Sequence, residues 1–445
     1  MVICGAKKSI FLDFSKQIAE KCQKILFSRK KDVSSRPIKG TIVANKQRKA
    51  HSRKSKGEGS LLVNIFKWAF RSVMAALTLG LCLLLVVSAY SDLVNPTFWV
   101  LPSFLGLGFG VIAILAVVWG VVLAVTRRWH SLLALFVTLL IVAVPLWRTC
   151  PLHIGGGPEP LARTADGTAI ERIDSLRVLS FNTNIMGQAH LSRVKEPIPV
   201  VELVRKSGAD IVCMQEYSFA LGKNGHTEQE IRGELKDLYP YYDFTPLDRS
   251  RRLGIAFYSK YPIRKATRVD KREKGYFSAM YYQIDVHGRT MGVVNMHLHI
   301  TMIDPKDRVF YEEMIERFDV DSLPRIRTSL MRSLAQAYRL RSAEARMLKY
   351  FVETNHPKDM PLLMCGDMND TPVSYCHRTL RSLDLRDTWQ EMGFGPGITY
   401  RAHRFWFRID HILHNDRLRP LRMRVRSDVK LSDHYPIEAT FQILP

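Results

Sequence analysis

Three long runs without a charged residue lie between residues 72 and 147, and they constrain the fold more than any other feature. The runs cover residues 72–90, 93–126 and 131–147. A helix needs about 20 apolar residues to cross a bilayer, and a soluble core covering these runs would need far more polar chain around them. Four tryptophans, whose rings favour the membrane interface, stand near the run ends at Trp68, Trp99, Trp129 and Trp147. The sequence therefore predicts about three transmembrane helices.

The charge distribution predicts how these helices are oriented. Residues 1–60 carry 16 Lys and Arg against 4 Asp and Glu, and Arg127 and Arg128 lie in the turn between the second and third runs. Lys and Arg are enriched in loops that remain in the cytoplasm. The tail and this turn are therefore predicted to be cytoplasmic. Three crossings then place the chain after Trp147 on the outer, periplasmic or extracellular, side of the cytoplasmic membrane.

Composition divides the chain into four parts. Residues 1–60 are a basic tail, interpreted as a solvated segment near anionic lipid, with nucleic-acid binding as the alternative. Residues 61–150 are a membrane domain with about three helices. The Gly- and Pro-rich stretch 151–172 is predicted to be a linker. Residues 173–445 form a C-terminal domain long enough to bury a core of its own.

Short β-rich runs alternate with helical runs in the C-terminal domain. Strands are predicted at residues 177–182, 210–215, 254–259, 279–286, 290–298, 361–367, 408–413 and 435–443. Helices are predicted at residues 200–207, 228–238 and 329–354. The connections include both hairpins and helical crossovers. This mixture predicts an α/β fold of two packed sheets flanked by helices rather than a doubly wound parallel sheet.

Polar side chains fall at or just past the ends of several predicted strands. They are Asn182, Glu216, His297, Asp367, Asn369, Asp410, Asp433 and His434. Carboxylate oxygens bind hard divalent cations, and a histidine can hold a phosphate or move a proton near neutral pH. Each residue alone has an ordinary interpretation, such as a turn-capping asparagine, a surface glutamate or a core histidine. Their number and order favour a metal-assisted hydrolytic site at one edge of a sheet.

The strings around these residues resemble those of the endonuclease/exonuclease/phosphatase superfamily, which has the DNase I-like fold. The resemblance covers residues 177–445 and rests on SFNTN, ADIVCMQE, GIAFYSKYPI, VNMHLH, GDMNDTP, FRIDHIL and SDHYPI. It implies a four-layer α/β sandwich, with two mixed β-sheets flanked by helices, here preceded by the transmembrane helices. It also implies cleavage of phosphate esters with Mg²⁺ or Mn²⁺ as the cofactor.

The resemblance assigns three residues to the metal. Glu216 matches the principal metal-binding glutamate of the family, and Asn182 matches the asparagine beside it. Asp433 corresponds to a further ligand of the metal or of water. Oxygen donors of this kind suit a hard divalent cation.

The resemblance assigns five residues to catalysis. Asp367 matches the aspartate that orients and activates the attacking water, and Asn369 matches the asparagine that contacts the phosphate in the transition state. His434 corresponds to the essential histidine, with Asp410 as the carboxylate that orients it. His297 matches the histidine of the NxHL string, a general acid or a phosphate ligand. These donors would offset the charge that builds up as water attacks a phosphate ester.

Two features depart from the family pattern. His411 stands where the family usually has an aromatic residue, which is expected to alter the pocket without touching the metal. Residues 299–327 are rich in acids and bases and match no motif. They are interpreted as a solvated connection, with a lid or a substrate-selecting insertion as the alternative.

The predicted function is that of a membrane-anchored, metal-dependent phosphoric ester hydrolase, taken first as a phosphodiesterase. The substrate stays open between a phospholipid, as in neutral sphingomyelinases, a nucleic acid and a small phosphodiester. DNA or RNA cleavage would call for a basic groove, which Arg249, Arg251, Arg252 and residues 264–274 could supply unless they are merely solvated. The remaining alternative is an inactive binding module, which would have been free to lose residues of the set. A lipid bilayer is the predicted partner, and the oligomeric state is not indicated.

Overall fold

The computed structural model of the protein describes most of the predicted membrane domain and most of the C-terminal domain. The described residues are 44–153, 175–187, 198–220, 226–247, 252–269, 277–301, 323–402 and 405–444. The tail before residue 44, most of the predicted linker and most of the segment 299–327 lie outside them. Two compact units, Met1–Ser72 and Val73–Pro445, divide the chain. The second unit therefore holds most of the apolar helices together with the C-terminal domain.

The first apolar run forms the end of a long helix, α1 (Ala44–Ala89). This helix begins inside the segment predicted to be a basic tail. Within it, Val63–Ala89 is the one stretch of the described chain that is long and apolar enough to cross a bilayer by itself. The structure therefore supports one membrane-capable helix in the place predicted for the first span.

The second and third runs are not single helices, so the described residues hold one clear membrane-capable helix rather than the predicted three, or three spans if each bent pair is counted as one. They form α2 (Leu101–Leu107), α3 (Phe109–Val125), α4 (Trp129–Ile141) and α5 (Ala143–Thr149). The α2–α3 pair is bent by 64° and the α4–α5 pair by 62°. Pro145 has no N–H for the carbonyl of residue 141, and its ring clashes with that carbonyl, which breaks the third run. Glycines at 106, 108 and 110 weaken the helix at the other bend.

The C-terminal domain is built from twelve described strands in two sheets. The strands are β1 (Ser175–Asn182), β2 (Ile211–Ser218), β3 (Tyr241–Pro246), β4 (Leu253–Ser259), β5 (Ile263–Arg268), β6 (Ser278–Val286), β7 (Arg289–His297), β8 (Leu362–Asp367), β9 (Arg386–Asp387), β10 (Asp410–His414), β11 (Leu418–Val425) and β12 (Ile437–Ile443). One sheet has the order β11-β12-β1-β2-β4-β3, and the other has the order β5-β6-β7-β8-β10-β9. Each sheet mixes parallel and antiparallel pairs.

Helices cover the outer faces of both sheets. On the first sheet, α6 (Pro199–Ser207) and α7 (Glu228–Leu235) bury their apolar faces. On the second sheet, α8 (Leu323–Asn355) and α9 (Tyr375–Arg381) do the same. The inner faces pack against each other through a common apolar core, in which the rings of Phe257 and Tyr282 stack 4.0 Å apart. The predicted α/β sandwich of two mixed sheets flanked by helices is confirmed.

The strand register brings the predicted polar residues to one edge of the two sheets. β1 runs parallel to β2, and β7 runs parallel to β8, so each pair ends on the same side. His297 and Asp410 are both paired with Asp367 in the second sheet. Just inside this edge, Gln215 Nε2 donates to Asn295 Oδ1 at 2.8 Å and joins the two sheets. We refer to the edge that carries Asn182, Glu216, His297, Asp367 and Asp410 as the polar edge.

Candidate active site

Glu216 is placed on the polar edge by a local break in strand pairing. The ladder between β2 and β4 is interrupted between Met214 and Tyr217, and Glu216 has a φ of +49°. Asn182 Nδ2 lies 3.3 Å from Glu216 Oε1 and 3.0 Å from Asp367 Oδ2. Burial raises the pKa of the Glu216 carboxyl, and the nearby His434 charge only partly offsets this. One amide thus bridges two carboxyl groups that come from different sheets.

Asp367 is the most enclosed carboxylate of the site. Its Oδ1 accepts from the Asn369 backbone N–H at 2.7 Å, and its Oδ2 accepts from Asn369 Nδ2 at 3.2 Å. Burial, reinforced by the negative charge of Asp410, raises the pKa of Asp367 to about 6. A carboxyl group with such a pKa can take up a proton near neutral pH.

Asn369 is held in a left-handed turn directly after β8. Its φ is +51°, a conformation that asparagine tolerates better than most residues. Its Nδ2 also donates to the carbonyl of Leu298 at 3.1 Å, and its own carbonyl accepts from Arg341 Nη1 at 2.5 Å. The amide is therefore fixed beside Asp367 by contacts at both ends of the residue.

His434 and Asp410 form a buried ion pair. His434 Nδ1 lies 2.8 Å from Asp410 Oδ2, and the Asp410 backbone N–H donates to Thr399 Oγ1 at 3.1 Å. Burial alone would lower the pKa of His434, but the negative charges of Asp410 and Asp367 raise it to about 10. The imidazole is therefore cationic at neutral pH, and its Nε2 lies 3.8 Å from Asp367 Oδ2.

His297 is enclosed between the carboxyl groups of the two sheets. Its Nε2 lies 3.7 Å from both Glu216 Oε1 and Asp367 Oδ2. Neither ring nitrogen has a hydrogen-bond partner among the described residues. Burial lowers the pKa of this histidine, so a neutral imidazole with an unused nitrogen faces the site.

Asp433 lies at the margin of this group. It is half-buried, and its Oδ1 is 3.2 Å from the hydroxyl of Ser432. Its charge affects the pKa values of Glu216 and His434. The same Ser432 hydroxyl is 2.9 Å from the Asn182 carbonyl. The polar edge therefore brings seven of the eight predicted residues into one cluster, and Asp433 acts on it through charge.

The donors of this cluster fit a hard divalent cation. Glu216 and Asp367 supply carboxylate oxygens that both lie against Asn182 Nδ2 and His297 Nε2, and burial raises the pKa of both. A cation between them would relieve this desolvation. The unpartnered nitrogen of His297 faces the same space. Asn182 would have to rotate its amide to offer oxygen, because its nitrogen now faces both carboxyl groups.

His411 does not lie in the cluster. Its Nε2 is 3.0 Å from the Asp370 carbonyl and its Nδ1 is 3.7 Å from Asp387 Oδ2. Asp387 also contacts His377 at 3.0 Å and Arg408 Nη1 at 2.8 Å. The geometry of the two histidines and Asp387 could hold a metal, but the Arg408 guanidinium already balances the carboxylate charge. This buried group is therefore an ion-pair network behind the polar edge.

Arg341 is a site residue that the sequence patterns missed. It lies in the middle of α8, is almost fully buried and donates to the backbone of Asn369. Its guanidinium also stacks on the ring of Tyr338, 4.8 Å away. An arginine within a long charged helix has the sequence pattern of a solvated residue. The one local signal of burial was the presence of Tyr338 and Ser342 on the neighbouring turn and position.

Of the basic residues considered for a nucleic-acid groove, few are described. Arg264 on β5 pairs with Asp285 at 2.7 Å, so its charge is compensated. Residues 248–251 and 270–276 lie outside the described chain. Most of the candidate groove therefore lies outside the described residues.

Comparisons with known proteins identify similar sequences and folds. The Endonuclease/Exonuclease/phosphatase family matches residues 179–434, and a domain of unknown function (DUF8431) matches residues 71–149. No significant match to a curated protein was found.

Solved structures with a similar fold include three catalytic proteins. The human Nocturnin catalytic domain is 17% identical, with 61% of this chain and 95% of that chain covered and a TM-score of 0.42. Sphingomyelinase C from Streptomyces griseocarneus is 20% identical, with 60% and 99% covered and a TM-score of 0.41. An endonuclease/exonuclease/phosphatase from Beutenbergia cavernae is 15% identical, with 61% and 72% covered and a TM-score of 0.40.

Proposed function

The chain belongs to the endonuclease/exonuclease/phosphatase family, and from this premise we propose that it is a membrane-anchored, divalent-metal-dependent phosphodiesterase. The observation that carries the proposal is the convergence of Glu216 and Asp367 with the Asp410–His434 pair on the polar edge. A phosphodiester is anionic, so its hydrolysis needs both positive charge and a base close to the phosphorus. The polar edge offers both.

Mg²⁺ or Mn²⁺ is the cofactor that suits these donors. Glu216 would be the principal ligand, with Asn182 and Asp433 as further ligands and Asp367 within reach. When bound, the ion would offset the phosphate charge and make a water molecule a better nucleophile. The side chains of the protein position the water, accept its proton and stabilise the phosphate charge.

Asp367 is proposed as the group that orients the attacking water and accepts its proton. Its pKa of about 6 suits a base that works near neutral pH. Asn369 and Asn182 hold its carboxylate by three contacts. Because these contacts fix the carboxylate before the substrate arrives, little reorganisation is needed at the moment of reaction.

His434 is proposed to stabilise the charge that builds up on the phosphate oxygens. Its Nδ1 is engaged by Asp410 at 2.8 Å, so the Nε2–H is directed away from that pair toward the site. Its raised pKa keeps it cationic at neutral pH. His297 would add a further hydrogen-bond donor to the phosphate or to the leaving oxygen. Asn369 Nδ2 would add another only by giving up its contact with Leu298 or with Asp367.

The proposed topology has three spans, with the tail cytoplasmic and the C-terminal domain outside. Asp92, just after α1, pairs with Arg148 at the end of α5 at 3.2 Å, while Arg127 and Arg128 lie in the turn between α3 and α4. The contact supports placing the end of α1 and the end of α5 on the same side, opposite the arginine turn. This arrangement supports an odd number of crossings. Protease added to intact cells or spheroplasts should remove the C-terminal domain. If the domain stays protected until the membrane is broken, the proposed orientation is wrong.

The metal-dependent activity can be tested on the full-length protein in detergent. We expect hydrolysis of bis(p-nitrophenyl) phosphate with Mg²⁺ or Mn²⁺ and its loss with a chelator. Glu216→Gln should abolish most turnover, with partial recovery at high metal concentration, because one ligand charge is lost while the shape is kept. Glu234→Gln, at an exposed position on α7, is the matched control.

Four results would contradict parts of this proposal. Activity that survives the chelator would exclude the metal, and a fully active Glu216→Gln at low metal would remove Glu216 from the site. A parent protein that hydrolyses no phosphodiester in a panel with DNA, RNA and sphingomyelin would favour the inactive binding module. Cleavage of phosphomonoesters alone would replace the diesterase by a phosphatase.

A further inference from the structure

The loop that carries Asn369 also holds the sandwich against the apolar helices. Four residues after Asn369, the carbonyl of Val373 accepts from Ser91 Oγ at 2.9 Å. The Val373 side chain is buried in the same apolar cluster as Leu85 and Phe109 of the membrane domain. The polar edge is therefore joined directly to the chain that follows α1.

The segment that leads into β10 makes a second junction of this kind. Arg408, two residues before Asp410, donates through Nη2 to the Arg148 carbonyl at the end of α5. Its Nη1 contacts Asp387 at 2.8 Å. The segment from Arg408 to Asp410 thus connects the Asp410–His434 pair with the end of α5.

Two further junctions lie between the same parts. The buried carboxylate of Asp92 is 3.2 Å from Arg148 and 3.6 Å from Arg378 on α9. On α8, Ser342 Oγ donates to Asn95 Oδ1 at 2.8 Å, one residue from the Arg341 that contacts Asn369. All four junctions involve the same ends of the apolar helices, so the polar edge lies at the level where those helices end.

Large aromatic side chains are exposed around these junctions. They are Phe98 and Trp99 between α1 and α2, Phe394 in the loop after α10 (Thr388–Met392), and Trp406 before β10. Phe98 is 88% exposed and Trp406 is 64% exposed. The loop of Phe394 is bound to the chain after α5, since Gly395 N donates to the Pro151 carbonyl at 2.8 Å. Aromatic rings in such a position are typical of the membrane–water interface.

We propose that the substrate is the phosphodiester of a lipid in the bilayer that holds the apolar helices. This inference rests on the proposed hydrolytic function of the polar edge. Lipid phosphates lie at the depth where interfacial aromatic side chains rest, and lateral diffusion brings them to the polar edge. Exposed rings at Phe98 and Trp406 would seat that edge on the lipid surface.

The reaction is a simple hydrolysis. The oxygen of water forms a bond to phosphorus, and the ester bond from phosphorus to one alcohol oxygen breaks. One proton of water passes to Asp367, which then returns it to solvent, and the departing alkoxide takes up one proton from solvent, so an alcohol and a phosphomonoester result. No oxidant, reductant or further substrate is required.

The test uses the full-length protein in vesicles made of equal parts of phosphatidylethanolamine, phosphatidylglycerol, phosphatidylcholine and sphingomyelin, with Mg²⁺. Lipid cleavage is followed by phosphorus NMR and mass spectrometry, and bis(p-nitrophenyl) phosphate is assayed in the same sample. We expect cleavage of at least one vesicle lipid. Trp406→Ser should lower the ratio of lipid to soluble-diester turnover by about fivefold. Tyr350→Ser, a 70% exposed aromatic residue on α8 about 12 Å along the helix from Ser342, should leave that ratio unchanged.

The outcomes separate this inference from the function on which it rests. Hydrolysis of the soluble diester without cleavage of any vesicle lipid would overturn the lipid substrate and leave the phosphodiesterase in place. Failure on both substrates would overturn the phosphodiesterase itself. Faster cleavage of an added single-stranded DNA than of the lipids would also overturn the inference, as would an unchanged ratio in Trp406→Ser.

Discussion

His434 Nδ1 lies 2.8 Å from Asp410 Oδ2, and the pair is buried within the polar edge. The contact leaves Nε2 as the one ring nitrogen of His434 that is available for a substrate. It also keeps the imidazole charged, because the pKa of His434 is raised to about 10 although burial opposes this. Asp410 thus fixes the orientation of the histidine and, with Asp367, its charge, so His434 and Asp410 should behave as one unit in mutational tests.

A double-mutant cycle tests that unit. We expect His434→Ala to lower turnover of a phosphodiester by about two to four powers of ten, since a donor to the transition state is lost. Asp410→Asn should cost less alone and add little to His434→Ala, because both changes remove one function. Turnover of the three variants on one substrate measures this coupling. Fully additive losses would mean that the residues act independently.

Arg341 should act on turnover without touching the substrate. Its guanidinium holds the Asn369 carbonyl and lies 3.8 Å from Asp370 Oδ2. We expect Arg341→Ala to lower kcat by about ten- to a hundredfold, because the Asn369 turn shifts, and to change KM much less. Arg341→Lys should recover part of kcat, because the positive charge is kept. Arg339→Ala, at an exposed position on the same helix, is the control, and an equal loss of kcat there would contradict this role.

Gly366 cannot carry a side chain. Its φ is +141°, and an added Cβ would lie 1.9 Å from the Met296 carbonyl oxygen in the neighbouring strand. Gly366→Ala should lower the free energy of unfolding by about 3 kcal/mol or more, since the backbone of β8 must move. Gly233→Ala in α7 is the opposite case: no atom lies within 4 Å of the added Cβ, so the helix should gain about 1 kcal/mol. Thermal unfolding of both variants measures the difference, and similar melting temperatures would contradict the expectation.

Asp92 should stabilise the junction between the apolar helices and the sandwich. It is buried and pairs with Arg148 and Arg378. Asp92→Asn keeps the shape but removes the charge, so we expect a loss of about 1–3 kcal/mol in the free energy of unfolding in detergent. Asp384→Asn, at an exposed turn with a φ of +59°, should change little because asparagine tolerates that conformation. An Asp92→Asn protein with the parental melting temperature would show that the pair is not stabilising.

The central strands could be predicted from sequence, whereas most edge strands could not. β2, β7 and β8 each contain an uninterrupted apolar stretch, and β1 has only two partly exposed residues, because both faces of these strands are largely buried. β11 carries Arg419, Arg422 and Arg424, and β5 carries a similar mixture of charges. Charged side chains protect edge strands against pairing with other chains, and they also hide the strand pattern in the sequence.

The predicted site residues lie together, but the contacts that hold them in place could not be predicted from the motifs. The strings around Asp367 and His434 indicated the cluster because polar residues end apolar runs there. The positive φ values of Glu216 and Asn369 depend on the strand partners and on Arg341 rather than on local sequence. Arg341 itself is 28 residues from Asn369 along the chain. Contacts of this kind follow from tertiary packing, which a local pattern does not encode.

Because Val373 is buried among the apolar helices, the C-terminal domain alone should not be the smallest fragment that keeps the site intact. The Val373 side chain is buried in a cluster formed by the apolar helices, and its carbonyl accepts from Ser91 Oγ. Val73–Pro445 forms one compact unit. A protein cut at the predicted linker would expose Val373 and leave Arg378 without Asp92. The turn that holds Asn369 would then lose its anchor four residues away. Biochemical work on this enzyme therefore belongs in detergent or lipid from the first purification step, with the helices left in place.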